Sequence, residues 1–326
     1  MKKRGKKIGL ALGGGSVRGL AHIGVLKVFE KERIPIDYIA GTSIGALIGA
    51  SYSSGLSAQR IEQLALTAKL KELIDFTEPK TGFIAGKKIE KYIRKITAHK
   101  EFSELDIPLR VVATDLANGE KVVFREGDVA KAVRASISLP GVFSSVKIGK
   151  KELIDGGMVD PVPVDVVKKM GADIIIAVDL SVNLSETFTH SGTSSDFIQF
   201  LKNEFYMKEL EFITHYTKKL FIKFPKLIFK IITRIIDWIL NPKRVYKILA
   251  GKTIPKVMKI MIEANTILNN QLSKEILSNR KVDAIIKPRM KGVMYAEFDK
   301  AKEIIKEGEK AAKKQMPKIK KLLGIK

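Results

Sequence analysis

The chain has 326 residues, 45% of them hydrophobic and 29% charged, a globular composition that excludes a disordered or fibrous chain. It contains no cysteine, which excludes disulfides, thiolate metal sites and a cysteine nucleophile. The net charge of +24 favours an anionic partner, a membrane surface or a nucleic acid, without choosing between them.

Five basic residues open the chain, and the apolar stretch behind them, Ile8 to Leu12, is too short for the core of an export signal. A cytoplasmic protein is expected, with peripheral contact at the inner face of the membrane. The segment "KIGLAL" reads as a strand and "LAHIGVLKVFEKE" as a helix with Leu20, Ile23, Val25, Leu26 and Phe29 on its apolar positions. "IDYIAGTS" is the next strand, and "IGALIGASYSSG" a short helix ending at Gly55. Further strands follow at "LRVVATDL", "EKVVFREG", "KELIDGG" and "ADIIIAVDL", all Val- and Ile-rich and bounded by Gly, Pro or Asp. This alternation predicts an α/β fold: a mainly parallel central sheet with helices on both faces, in three layers.

The composition then changes. Between Phe188 and Tyr246 lie 12 of the 23 aromatic residues, and from Phe212 to Ile236 there are six basic residues and no acidic one. Lys219, Lys223, Lys226, Lys230, Arg234 and Asp237 recur every three or four positions and trace one stripe of a helix, with Leu220, Phe224, Leu227, Ile231 and Trp238 off it. A charge on every turn makes crossing a bilayer expensive, so a basic amphipathic helix lying in the interface is expected. Lys223, Lys226, Lys230, Arg234 and Trp238 are its candidate contacts with an anionic membrane. "VDAIIKPRM" and "FDKAKEIIKEGEKAAKKQMPKIKKLL" then read as a buried strand and a charged terminal helix. The expected organisation is an α/β core over 1–187, a helical insert over 188–255, and a return to the core over 256–326 with a strand at 282–287.

Three motifs carry the chemistry. "LGGGSVRGLAHIGVL" is a strand, a glycine-rich turn and a helix, an arrangement that aims backbone N–H groups at an anion. That anion is either a nucleotide phosphate or the oxyanion of an acyl transfer; neither common nucleotide fingerprint fits the spacing. Gly41 and Gly45 frame Ser43 as G-x-S-x-G between an apolar strand and a small-residue helix, the context a nucleophile on a tight elbow requires. In "ELIDGGMVDPVP", Asp155 ends an apolar strand ahead of Gly156 and Gly157. Of the four histidines, only His190 and His215 follow Asp155, the order an α/β-hydrolase triad demands, and both fall in the insert.

Together the glycine loop, G-x-S-x-G and D-G-G resemble the patatin-like phospholipase family, in its bacterial and archaeal branch. The likeness extends through "VVATDLANGEKVVF", "AVRASISLPGVF", "LIDGGMVDPVPVDVVKKMGADIIIAVDL" and "GEKAAKKQMPKIKKLL", and omits the aromatic insert. The resemblance implies a lipid acyl hydrolase with a serine–aspartate dyad, no histidine, no metal and no cofactor. Ser43 would be its nucleophile, Asp155 its base, and the N–H groups of Gly14, Gly15 and Ser16 its oxyanion hole. Arg18 and Gly19 match the family's glycine motif; Ser16 stands where a third glycine is usual, and Gly13 leaves a register one residue upstream open. A lipid is the expected substrate, a neutral glyceride or thioester the alternative. No nucleic-acid motif is present, and a non-catalytic basic protein binding phosphate or a membrane is the rival reading.

Overall fold

The computed structural model describes residues 5–75, 77, 82–182, 253–290, 293 and 297–325. The chain divides into two units, Met1–Ser191 with Ala264–Lys326, and Gly192–Glu263. The elements described here belong to the first, apart from the opening turns of one helix. Lys223, Lys226, Lys230, Arg234 and Trp238 lie outside the described residues, as do His190 and His215.

The first strand, β1 (Ile8–Leu12), is buried along its whole length. A 3₁₀ turn (Ser16–Leu20) leads from it into α1 (Ala21–Lys31), followed by β2 (Tyr38–Thr42) and α2 (Ile44–Ser53). Then come α3 (Ala58–Thr67), α4 (Leu70–Leu73), α5 (Lys87–Ile96), β3 (Leu109–Asp115), β4 (Lys121–Phe124) and α6 (Val129–Ser136). After these stand β5 (Val146–Ile148), β6 (Lys151–Asp155), α7 (Val164–Lys169), β7 (Ile174–Val178), α8 (Thr253–Asn279), β8 (Ala284–Ile286) and α9 (Ala301–Leu323). The strands pair in the order β5-β6-β3-β2-β1-β7-β8, with β4 on β3. Pairing is parallel along β3-β2-β1-β7-β8, as expected, but the pairs β3–β4, β3–β6 and β5–β6 are antiparallel, so the sheet is mixed.

The strand pleat sends alternate side chains to two cores. Ile8, Leu10 and Leu12 join the larger one beneath α1, α2 and α9. Ala11, Ala40 and Ala177 face the other way, onto Val164, Val166 and Val167 of α7. These small residues let α7 lie close to the sheet. The terminal helix is a full core element: a Cβ on Gly24 would stand 2.0 Å from Ile305 O, and one on Gly308 2.0 Å from Ala21 O. Glycine on both sides is what lets α1 and α9 pack backbone to backbone. Among the described residues no helix is long and apolar enough to cross a membrane.

One feature of the register shapes the site. Strand β2 pairs with β3 from Leu109 to Val112, and β4 pairs with it from Val111 to Thr114. Residues 111 and 112 therefore have both edges filled, β2 on one and β4 on the other. Strand β6 pairs with Ala113, Thr114 and Asp115, so it continues the edge that β2 leaves. Thr42 opposite Val112 and Asp155 opposite Ala113 are thus head to head, and the residue after Thr42 is Ser43.

Candidate active site

Ser43 leaves β2 in a conformation that L-residues rarely hold, φ 55° and ψ −123°, and serves as the cap of α2. Its glycine neighbours are sterically required: a Cβ on Gly41 would lie 2.6 Å from the Ala46 backbone, and one on Gly45 2.2 Å from Leu12 O. Such a backbone costs on the order of 1–3 kcal/mol and persists only where its surroundings hold it. The half-exposed hydroxyl donates to Asp155 Oδ2 at 2.6 Å. Asp155 is 5% exposed, and its Oδ1 accepts the Gly157 N–H at 2.7 Å. Burial pushes the Asp155 carboxyl up to about 6, against the two hydrogen bonds, which pull it down. Gly156 has no room for a side chain, since its Cβ would stand 2.2 Å from Val112 O.

The glycine loop runs beside the elbow. A Cβ placed on Gly14 would be 3.5 Å from that of Ser43. Gly13 N–H donates to Val178 O at 3.2 Å, and Gly14 N–H to Pro161 O at 2.9 Å. Gly14 therefore differs from its expected role as an oxyanion donor, because its amide fastens the loop to the residues before α7. The upstream register meets the same obstacle at Gly13. Gly15 O accepts from Arg18 Nε at 3.3 Å, and in a trans peptide the Ser16 N–H points the opposite way within the same plane. Ser16 takes φ 51°, the left-handed region, which accounts for a glycine being usual there. Gly19 packs on the start of α2, where a Cβ would meet Ile44 Cγ2 at 2.1 Å. The N-termini of the 3₁₀ turn and of α2 both lie at this loop, and helix N-termini favour developing negative charge.

His22 is fully buried and lies in contact with Gly13 O, 2.7 Å from Nε2. Burial pulls its imidazole down to about 4, so it is neutral near pH 7 and Nε2 carries the proton that the carbonyl accepts. It braces the loop and stands apart from the Ser43–Asp155 pair. Several polar groups that hold the site are not ones the motifs single out. Ser136 Oγ accepts the Ser43 N–H at 2.8 Å, Thr42 Oγ1 donates to Asp160 O at 2.8 Å, and Thr114 Oγ1 donates to Asp155 O at 2.9 Å. Ser136 sits inside "AVRASISLPGVF", where the spacing of its serines matches no motif with a chemical reason attached.

A three-layer α/β fold with a serine at a strand–helix elbow bonded to a buried aspartate defines a class of protein. Residues 10–168 match the family described as patatin-like phospholipase. It is 36% identical over 184 residues to patatin-like phospholipase domain-containing protein 6 of Mus musculus, covering 54% of this chain and 14% of that protein. It is 35% identical over 199 residues to lysophospholipase NTE1 of Debaryomyces hansenii, covering 59% of this chain and 13% of that one. The chain thus spans only a small part of the length of these two relatives. The crystal structure of VipD from Legionella pneumophila shares the fold, with a TM-score of 0.56 at 11% identity, covering 98% of this chain and 67% of that one.

Proposed function

We propose that this protein is a serine lipid acyl hydrolase that cleaves carboxylic esters of phospholipids or lysophospholipids through a Ser43–Asp155 dyad. Ser43 Oγ attacks the ester carbonyl as Asp155 Oδ2 takes its proton. The tetrahedral intermediate collapses, the proton passes to the leaving alcohol, and the acyl group stays on Ser43. Water, deprotonated by Asp155, then attacks the acyl carbon; the bond to Oγ breaks and Oγ recovers the proton. The single observation behind this reading is the 2.6 Å hydrogen bond from Ser43 to a carboxyl that burial has raised to about 6. A base near that value is ionised at neutral pH yet far stronger than an ordinary aspartate. The direct bond also occupies the position a triad histidine would need between serine and aspartate.

The oxyanion is assigned to the glycine loop that runs beside Ser43, in which the Gly13 and Gly14 amides bond Val178 O and Pro161 O. The lipid class follows from the family match and from the relative whose name is lysophospholipase. The insert over 188–255 is proposed as a lid or membrane-docking element, with Lys223, Lys226, Lys230, Arg234 and Trp238 against anionic lipid. Labelling with a fluorophosphonate probe, then turnover of a phospholipid and lysophospholipid panel, tests the chemistry. Wild type should label and turn over, and Ser43→Ala should do neither; a fully active Ser43→Ala protein refutes the dyad. Flotation with anionic liposomes, with and without residues 188–250, tests docking, and equal flotation removes it.

A further inference from the structure

The two halves of the dyad come from separate strands, and the segment that ties them together is the end of α6. Ser136, its last residue, is fully buried. Its hydroxyl donates to Val112 O at 2.6 Å and accepts the Ser43 N–H at 2.8 Å. Val112 is where β2 gives way to β6 along the edge of β3, so its carbonyl faces the gap between two strand ends. Ser136 fills that gap and bonds the nucleophile's amide from it.

We propose that Ser136 is a positioning residue that locks Ser43 in its left-handed conformation and so sets the serine–aspartate hydrogen bond. The proposal rests on the Ser43–Asp155 reading above. The aspartate is held from the same segment: Asp155 N–H donates to Ser138 O at 2.9 Å. Ser138 Oγ accepts from Arg134 Nη1 at 2.6 Å. Arg134, 2% exposed, also donates to Gly86 O, Ala85 O and Ser144 O and lies 5.3 Å above the Phe143 ring. A buried guanidinium bonded to four uncharged oxygens is a rigid anchor, because releasing any one of them leaves a buried group unpaired. Residues 134–138 thus clamp nucleophile and base against one frame.

Ser136→Ala removes the acceptor for the Ser43 N–H without adding bulk. Turnover of a chromogenic short-chain ester should fall about 10- to 100-fold in kcat, with KM within about threefold of wild type. The acid limb of the pH–rate profile should also move upward, because the Ser43 hydrogen bond is one of the contacts that lower the Asp155 pKa. Val133→Ala, at a fully buried apolar position on the same helix, serves as the control. It should reduce the melting temperature while leaving kcat and the inflection in place. Should Ser136→Ala behave like Val133→Ala in both respects, the proposal is overturned. Hydrogen exchange over residues 38–47 gives a readout independent of turnover, and Ser136→Ala should exchange faster there than wild type or Val133→Ala. If the wild-type protein hydrolysed no ester, the proposed function would fall, while equal exchange in the two variants would separately refute the role of Ser136.

Discussion

Asp155→Asn should make the protein more stable at neutral pH and leave its stability nearly unchanged in acid. The wild-type carboxyl sits at about 6 in the folded protein against an ordinary 3.8. The folded state therefore holds the proton more tightly than the unfolded chain. That contribution is fully present below the unfolded value and is lost as the pH rises through 6. Above this window the buried carboxylate costs about 3 kcal/mol, from a shift of about two units at about 1.4 kcal/mol each. Asparagine removes the charge and keeps the geometry, with Oδ1 for the Gly157 N–H and Nδ2 as a donor to Ser43 Oγ. The gain at pH 8 should thus approach about 3 kcal/mol, a rise of roughly 5–10 °C in melting temperature for a domain of this size. At about pH 3, below the unfolded value, the wild-type carboxyl is protonated in both states and the two proteins should melt together. His22 also titrates differently in the fold, but identically in both proteins, so the comparison cancels it. Differential scanning calorimetry of both at pH 8 and about pH 3 decides the matter. A pH-independent difference, or a variant less stable at pH 8, would show that Asp155 is not held above its ordinary value.

The acid limb of kcat/KM should fall tenfold per unit below about pH 6 and plateau above it, in wild type and in the His190→Ala, His215→Ala double variant alike; an inflection lost in the double variant would point to a triad. Ser43→Gly and Ser43→Ala should both be inactive, yet the glycine variant should be more stable by about 1 kcal/mol in denaturant unfolding, since only glycine holds the elbow's backbone without strain. Ser16→Gly should raise stability by about 0.5–1 kcal/mol and retain ester hydrolysis, because glycine holds the left-handed backbone at position 16 without strain.

The elements that carry motifs are legible because local chemistry dictates them. Strands β1, β2 and β7 follow from apolar runs buried on both faces, and the elbow follows from glycines that have no room for a side chain. The antiparallel β4–β6 region is less legible. "EKVVFREG" and "KELIDGG" read as strands, but nothing in an apolar run gives its direction, and β5, three residues of which none is buried, has too little pattern to find. Helices α3 to α6 go unassigned because α3 buries only Ala58 and Ile61, α5 buries only Ile93 among basic residues, and α4 and α6, of four and eight residues, are too short to show a clear period. At the site, Ser43 and Asp155 stand out by motif, whereas Ser136 does not. Its role depends on a strand changeover 24 residues away in sequence, at Val112. Gly14 shows the complementary case: the motif locates the loop, but which amides remain for a ligand depends on Pro161 and Val178, which only the fold brings near.

That division has a physical origin. Ser43 and Asp155, the nucleophile and base of the proposed dyad, are each unfavourable on their own, one by backbone strain and the other by desolvation of its charge. Neither survives unless the surrounding structure offsets the cost, and the groups that do so need only present the right atom at the right place. A backbone carbonyl, a serine hydroxyl or an arginine fork serves equally, so such supports carry no fixed spacing. In this chain they converge because β6 takes up the edge of β3 where β2 leaves it, which sets Ser43 and Asp155 end to end over Val112. In the proposed dyad the direct Ser43–Asp155 hydrogen bond set by that register does the work that an imidazole does in a triad.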